Sequence, residues 1–295
     1  MLSVLITSYK EPRTIGKAIE CFLPQIGKDD EILIAAPDKE TIEVISGYAK
    51  KDKRIKLIND AGKGKPAALN MLFVRAKGDI WILSDGDVYV DEHALRYLLE
   101  PFHNQRAGAV TGRPISISPR KTILGYWSHL LTDVGAHQTR LRAVQKGCFF
   151  VCSGYLYAVR KGTIRPLPEN ALSDDAVIST QLWLDNWKIA YAPQAMVYVR
   201  YPTTFRDWFM QKRRSAGGYT QLRSYFQNPP IMRSFTRELI GGMLSVWTYP
   251  TSPREIAYTA LLFPMRLYLW LRIYWDIVIK KSSMQNIWQR VESTK

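Results

Sequence analysis

The chain has 295 residues, of which 46% are hydrophobic and 23% are charged. This composition excludes a globally disordered protein, and the length fits one large α/β domain with an appendage or two modest domains. The formal net charge is +15, and residues 200–295 carry 15 Lys and Arg against 5 Asp and Glu. Such a basic excess attracts polyanions, either nucleic acid or an anionic membrane surface, and composition alone does not choose between them.

The three cysteines, Cys21, Cys148 and Cys152, do not indicate a disulfide-bonded framework. The opening residues, MLSVLITSYK, lack the basic segment of a secretory signal and continue into a strand-like pattern. We therefore expect a reducing, cytoplasmic setting. Cys148 and Cys152 have a metal-like spacing, but no second pair of ligands accompanies them, so a zinc site is disfavoured.

In its first half the sequence alternates between short β-rich runs and amphipathic helical runs, which predicts an α/β fold with a mostly parallel sheet flanked by helices. The predicted strands span residues 2–7, 31–36, 55–58 and 79–83. The predicted helices span residues 14–22, 40–50 and 66–76, the last with proline in its first turn. Further strands are expected near 109–117 and 149–159, then a helix at 174–186 and a strand pair within 187–193 and 195–201.

Beyond residue 200 the sequence becomes aromatic, basic and interrupted by proline, so we divide the chain into a domain of residues 1–200 and a helical region of residues 201–295. The two most apolar stretches are residues 238–250 and 256–279. The second contains Pro264, Arg266, Arg272 and Asp276, and its longest charge-free run falls far short of the roughly 18–20 residues of a simple membrane span. Leucines and aromatic residues with interspersed arginines favour a helix in the membrane interface over one packed on the core or one spanning the bilayer.

Acidic residues follow several predicted strands where those strands end. Tyr9 and Glu11 follow the first strand, Asp38 follows the second, and the sequence SDGD places Asp85 and Asp87 after the fourth. In open α/β sheets, ligands bind beyond the carboxyl ends of the strands. Two carboxylates one residue apart repel each other unless a cation compensates, so we expect a hard divalent metal there.

The glycine-rich segment GKGKPAALN, residues 62–70, is not a P-loop. That motif needs glycine at position 59 and Ser or Thr at position 66, where this chain has Asn59 and Pro66. The segment remains a basic turn that leads into a helix N-terminus, which is a reasonable anion site.

Five segments in order, VLITSYKEP, GKPAALN, SDGD, SDDAVIS and QKRRS, resemble the family 2 glycosyltransferases with the GT-A fold. The resemblance covers roughly residues 1–218. It implies a GT-A-type sheet, a nucleotide-diphosphate sugar donor (a UDP-sugar is favoured), Mn²⁺ or Mg²⁺, and inversion at the anomeric carbon. It also makes the C-terminal helical region a membrane-associated one.

The resemblance implies roles for the nucleotide-side residues. Tyr9 and Glu11 would border the nucleotide, and the backbone around Thr7 and Ser8 would lie under the base. Asp38 would lie near the uracil-type base, and Lys65 would approach the nucleotide. Asp85 would hold the ribose or a metal-bound water, and Asp87 would ligate the metal.

For the acceptor side, the resemblance implies that Asp175 is the general base and Asp174 its supporting neighbour. Ser153 and Gly154 would lie under the sugar. Taken alone, SDDAV also fits an ordinary helix start, with Ser173 as the N-cap and two acids favoured by the helix dipole.

The segment QKRRS resembles the Q-x-x-R-W motif of membrane-linked polymerising members. Gln211 and Arg214 match it and are expected to bind the donor, with Arg214 at the diphosphate, whereas Ser215 stands in place of the tryptophan. This departure weakens the case for processive polymer synthesis.

Together these expectations describe a metal-dependent sugar transferase on the cytoplasmic face of a membrane, with a lipid-linked or membrane-borne glycan acceptor and no nucleic-acid partner. A basic nucleic-acid-binding protein is an alternative, but no recognition motif supports it. A non-catalytic relative that binds nucleotide sugars is a second alternative, and the Asp174-Asp175 pair argues against it because a sensor needs no base.

Overall fold

The computed structural model of the chain describes residues 1–230, 245–275 and 293–294. Within these ranges one sheet contains eight strands: β1 (Leu2–Thr7), β2 (Glu31–Ala36), β3 (Ile55–Asn59), β4 (Ile80–Asp85), β5 (Tyr89–Val90), β6 (Ala107–Ser116), β7 (Leu156–Arg160) and β8 (Lys188–Val199). The α-helices of the described residues are α1 (Ile15–Phe22), α2 (Lys39–Ala49), α3 (Lys65–Arg75), α4 (Ala94–Leu99), α5 (Ile123–Thr132), α6 (Thr139–Gln145), α7 (Asp174–Leu184), α8 (Phe205–Tyr225) and α9 (Pro253–Tyr274). The predicted α/β fold is confirmed.

The strand order in the sheet is β3-β2-β1-β4-β7-β6-β8-β5. The first four strands in this order pair in parallel, whereas β7 is antiparallel to both β4 and β6, and β5 is antiparallel to β8. The register places Thr7, the last residue of β1, beside Ala35 of β2 and Asp85 of β4. The carboxyl ends of the central strands therefore meet at one edge, where an α/β sheet binds its ligands.

The central parallel strands β1 and β2 are buried on both faces and mostly apolar. Every residue of β2 is buried, and Val4, Leu5 and Ile6 of β1 have no exposed surface. Such continuous apolar runs are typical of parallel strands that are covered on both sides. The flanking α1 buries Ile15 and Ile19, one turn apart on the same face.

Contacts divide the chain into two compact units. The first comprises residues 1–114 and 149–199, and the second comprises residues 115–148 together with the part of the chain from 200 to 294. The second unit has its own apolar cluster, in which Tyr126 and Trp127 are fully buried with Trp208 and Leu262. The predicted division at residue 200 places residues 115–148 in the first domain, whereas the contacts place them in the second unit. The catalytic role of the first part and the membrane-attaching role of the second stay predictions.

Two predicted strands differ from the observed ones. The strand expected at 149–159 begins only at Leu156, because the backbone N–H groups of Cys152 and Ser153 donate to the side chains of Ser179 and Thr111 instead of to a strand. The expected strand pair within 187–201 is the single strand β8, which continues through Pro193. β5 pairs only with the last residues of β8, so the earlier part of β8, which includes Pro193, lies at an edge of the sheet. Proline is tolerated in an edge strand.

The apolar stretches of the C-terminal third are described only in part. Residues 238–244 and 276–279 lie outside the described residues, while residues 256–275 belong to α9 and its C-terminal cap. None of the helices in the described ranges combines the length and the apolar composition that a membrane crossing requires.

Candidate functional site

The loops that are predicted to face the nucleotide meet at the carboxyl ends of β1 and β4. Thr7 Oγ1 lies 3.4 Å from Asp85 Oδ1, and the N–H of Gly86 donates to the carbonyl of Thr7 at 3.1 Å. The hydroxyl of Ser8 donates to the buried carboxylate of Glu11 at 2.7 Å. A Cβ atom on Gly86 would overlap both Ser8 Oγ and Glu11 Oε2, so the SDGD turn requires glycine for close approach.

Asp38 is positioned as a helix cap. Its Oδ1 accepts hydrogen bonds from both the N–H and the hydroxyl of Thr41, in the first turn of α2, and its Oδ2 accepts one from the N–H of Lys10 at 2.7 Å. Burial alone would raise the pKa of Asp38, but these hydrogen bonds hold it below its usual value. The side chain thereby links the loop after β1 to the loop after β2. Tyr9 is exposed, with Lys10 Nζ 5.5 Å from its ring centre.

Lys65 connects two carboxylates that are far apart in sequence. Its Nζ lies 2.8 Å from Asp85 Oδ1 and 3.4 Å from Asp174 Oδ2. The segment GKGKP places it there because Gly64, with φ of 105°, forms the N-cap of α3 and Lys65 is the first helical residue. This backbone conformation is one that side-chain-bearing residues rarely adopt.

The charges of this cluster depend on one another. Burial disfavours the ammonium of Lys65, but Asp174 and Asp85 outweigh it and raise the pKa of Lys65, so the group stays charged. Burial also raises the pKa of Asp174, an effect that Lys65 opposes and Asp175 reinforces. Tyr157, which is fully buried, donates its hydroxyl to Asp174 Oδ2 at 3.3 Å. Burial and the Asp174 charge raise the pKa of Tyr157 well above its usual value, so its hydroxyl remains a donor.

Asp175 is fixed from two directions at the start of α7. Its Oδ2 accepts the N–H of Gly154 at 3.1 Å, and its Oδ1 accepts the N–H of Ala176 and the hydroxyl of Ser173. Ser173 occupies the predicted N-cap position, but its hydroxyl makes no capping hydrogen bond to the helix backbone. The neighbouring carboxylate takes that hydroxyl instead, so the SDD sequence orients Asp175 rather than the helix end.

Asp87 is partly buried just beyond β4. With Asp85 it supplies carboxylate oxygens, the donors that Mn²⁺ and Mg²⁺ prefer, so the residues present fit the expected metal. No group of three or more His, Cys, Asp or Glu in the described part of the chain is arranged to hold a metal. An ion bound to this pair would therefore take its remaining ligands from a bound diphosphate or from water.

Gln211 and Arg214 lie in the second unit, on α8, which begins at the N-cap Thr204. Both side chains are partly buried. The other predicted site residues, from Thr7 to Asp175, belong to the first unit. Among them the structure brings Thr7, Lys65, Asp85 and Asp174 into direct contact.

Two polar contacts of the site were not predicted. Tyr157 reaches Asp174 from β7, whose antiparallel place beside β4 follows from long-range pairing and leaves no local signal. Ser8 holds Glu11, and the S-x-x-E spacing of these residues is a recognisable local pattern.

Comparisons with known proteins identify the family of the chain. Residues 1–218 match the family model described as "Glycosyltransferase like family 2". A poly-beta-1,6-N-acetyl-D-glucosamine synthase of Staphylococcus aureus is 27% identical over 245 residues, which cover 79% of this chain and 58% of that protein. The chain spans just over half the length of the curated relatives it matches.

Solved structures show the same fold at low sequence identity. The mannosyltransferase PcManGT from Pyrobaculum calidifontis, solved with GDP-Man and Mn²⁺, has a TM-score of 0.61 and 14% identity over 97% of this chain and 84% of its own. S. aureus TarS 1-349, solved with UDP-GlcNAc, has a TM-score of 0.55 and 13% identity over 88% of this chain and 78% of its own. Because the family match covers most of the chain, this protein belongs to the family described as "Glycosyltransferase like family 2".

Proposed function

We propose that the protein is a metal-dependent, inverting glycosyltransferase that moves a sugar from a nucleotide-diphosphate sugar to a lipid-linked or membrane-borne glycan acceptor. The observation that carries this proposal is the position of Lys65 between Asp85 and Asp174. One ammonium group ties the carboxylate at the end of β4, expected on the nucleotide side, to the carboxylate pair at the start of α7, expected on the acceptor side.

In the proposed reaction, Asp175 acts as the general base. The acceptor hydroxyl oxygen forms a bond to the anomeric carbon while the bond from that carbon to the diphosphate oxygen breaks. The hydroxyl proton passes to the Asp175 carboxylate, and the bonding electron pair leaves with the nucleoside diphosphate. One base suffices, because inversion by single displacement needs no nucleophilic carboxylate. The hydrogen bonds from Gly154 and Ser173 would keep Asp175 oriented for this transfer.

Asp87 and Asp85 would hold the divalent metal. When bound, Mn²⁺ or Mg²⁺ would stabilise the charge that develops on the leaving diphosphate. Gln211 and Arg214 would supply further donors and positive charge to the diphosphate, while Thr7, Tyr9, Glu11 and Asp38 would shape the nucleotide pocket. Binding of Mn²⁺ and GDP-Man by the mannosyltransferase of the same fold supports a metal and a nucleotide-sugar donor.

A UDP-sugar is the favoured donor. TarS, which has the same fold, was solved with UDP-GlcNAc. The name of the S. aureus relative describes synthesis of an N-acetylglucosamine polymer, which supports a glycan acceptor. The basic and aromatic C-terminal third supports an acceptor at a membrane surface, reached from the cytoplasmic side.

Release of nucleotide from a panel of UDP- and GDP-sugars, with and without Mn²⁺ or Mg²⁺, tests the proposal. We expect metal-dependent release from at least one donor, and Asp175→Asn should lower the rate about 10²–10⁴-fold while donor binding is retained. Asp185→Asn is the matched control, since Asp185 lies at the opposite end of α7 in a surface ion pair with Arg165. Near-normal transfer by Asp175→Asn would refute the assignment of the base.

A further inference from the structure

Helix α9 is apolar on two sides. Its buried side carries Leu262, Leu269 and Ile273, which lie within the second unit. On the same side Thr259 contacts the hydroxyl of Tyr126 at 2.6 Å, and the Trp127 ring N–H donates to the carbonyl of Tyr258 at 2.6 Å. One side of the helix is therefore fixed to α5 by packing and by hydrogen bonds.

The opposite side of α9 exposes large apolar residues. We call this side the exposed apolar face, and it comprises Ile256, Leu261, Leu267, Tyr268, Leu271 and Tyr274. Each of these residues exposes between 47% and 60% of its surface. At about 100° per residue they fall within one arc of roughly 140°.

Positive charge borders this face. Arg254 and Arg272 fall at one margin of the arc, beside Leu261, at about 100° per residue. The described residues of the second unit contain 14 Lys and Arg against 3 Asp and Glu, a formal charge of +11. An exposed apolar strip on a strongly basic unit is the arrangement of an interfacial helix.

Among the described residues of this unit, the three acidic side chains all have partners within the unit. Glu255 is buried in an ion pair with Arg120, and Asp133 accepts the hydroxyl of Tyr249 at 2.7 Å. Asp207 is buried and accepts the N–H of Ser293. The described part of this unit therefore has a strong excess of positive charge, which complements an anionic partner.

We propose that the exposed apolar face of α9 is the surface by which this protein lies on an anionic lipid bilayer. The helix has 22 residues, so it extends about 33 Å parallel to the bilayer. Its leucines and isoleucine would enter the acyl boundary, Tyr268 and Tyr274 would lie at headgroup level, and the arginines would meet lipid phosphates. A nucleic acid would match the charge but would offer no surface to a strip of aliphatic side chains.

This inference deepens the membrane attachment in the proposed function and rests on it. Co-sedimentation of the full chain with vesicles of phosphatidylcholine alone, or mixed with phosphatidylglycerol, provides the test. We expect binding that requires the anionic lipid and weakens at high salt. The double variant Leu267→Glu and Leu271→Glu should lose at least tenfold in vesicle affinity. If the double variant fails to fold, Leu261→Gln provides a milder change on the same face, and it should also lower the affinity for vesicles.

Val74→Glu is the matched control, because Val74 is an apolar residue of α3 in the first unit that is 85% exposed. It should bind vesicles as the unaltered protein does. Equal binding by the α9 variants, or no binding by the unaltered protein, would overturn the inference. Self-association that the α9 variants abolish, without vesicle binding, would identify a second copy as the occupant instead. Nucleotide release from the donor, measured with the unaltered protein and with the same variants, separates the two proposals. If the unaltered protein releases no nucleotide, the transferase proposal is contradicted while the vesicle result stands.

Discussion

The ammonium nitrogen of Lys65 lies 2.8 Å from Oδ1 of Asp85. The same nitrogen lies 3.4 Å from Asp174, so the first residue of α3 neutralises carboxylates from β4 and from α7 at once. Without it, two buried or half-buried acids and the adjacent Asp175 would lose their nearby positive charge. Lys65 is therefore as much a structural residue of the site as a predicted contact of the nucleotide.

Lys65→Met should lower both stability and turnover. Removing one partner of a buried ion pair costs about 3–5 kcal/mol, and we expect roughly 1–3 kcal/mol here because the Lys65 side chain is 28% exposed. Turnover should fall about 100-fold or more, which corresponds to ~2.7 kcal/mol of activation free energy. Denaturant unfolding and nucleotide release measure the two effects. Lys63→Met, in the exposed part of the same loop, is the control, and equal behaviour of the two variants would contradict the assigned role.

Tyr157→Phe isolates the buried hydroxyl that donates to Asp174. Loss of one such hydrogen bond should lower the free energy of unfolding by about 1 kcal/mol. It should also reduce kcat more than it changes KM for the donor, because Asp174 stands beside the proposed base. Tyr198→Phe, on β8 near one edge of the same sheet, removes another tyrosine–aspartate hydrogen bond, to Asp91. A loss of kcat equal in both variants would show that Tyr157 acts only through stability.

Gly86→Ala tests whether the SDGD turn needs the close contact of Gly86 with the side chains of Ser8 and Glu11. The new methyl group would overlap the side chains of Ser8 and Glu11, so the loops after β1 and β4 must move apart. We expect a stability loss of roughly 1–3 kcal/mol and weaker donor binding, measured by calorimetry. Gly47→Ala adds the same methyl group to α2 where nothing lies within 4 Å, and it should be neutral or slightly stabilising. Unchanged donor affinity in Gly86→Ala would contradict the view that this turn shapes the nucleotide pocket.

Local patterns predicted the central strands well, whereas the contacts within the site depend on long-range packing. β1 and β2 begin and end where their apolar runs do, because strands buried on both faces leave a strong signal. The sequence also grouped Asp85 with Lys65 and Asp174 as site residues. It did not predict that Lys65 bridges the two acids, or that Tyr157 supports one of them. Those contacts require the pairing of β7 with β4 and the placement of α7, which no short segment encodes.

In the second unit, an ion pair joins α9 to the segment that precedes α5. The guanidinium of Arg120 binds both carboxylate oxygens of Glu255, at 2.7 and 3.0 Å, and also contacts the hydroxyl of Tyr249. Glu255 accepts the N–H and the hydroxyl of Thr251 as well. These hydrogen bonds, of which the one from Arg120 has the largest effect, lower the pKa of Glu255 from about 4.5 to about 2, although burial opposes the shift.

The stability of the second unit should therefore depend on Glu255 at acid pH. A carboxylate whose pKa is lower in the folded state contributes stability that is fully present above its unfolded value, near 4.5, and is lost as the pH falls toward 2. The free energy of unfolding should accordingly decrease between pH 5 and pH 2. Glu255→Gln should be less stable at neutral pH and should show a flatter dependence over this window. Glu169→Gln, a change of an exposed glutamate, should retain the slope of the unaltered protein. Equal slopes for Glu255→Gln and the unaltered protein, measured by denaturant unfolding at stepwise pH, would show that the Arg120–Glu255 pair does not govern acid stability.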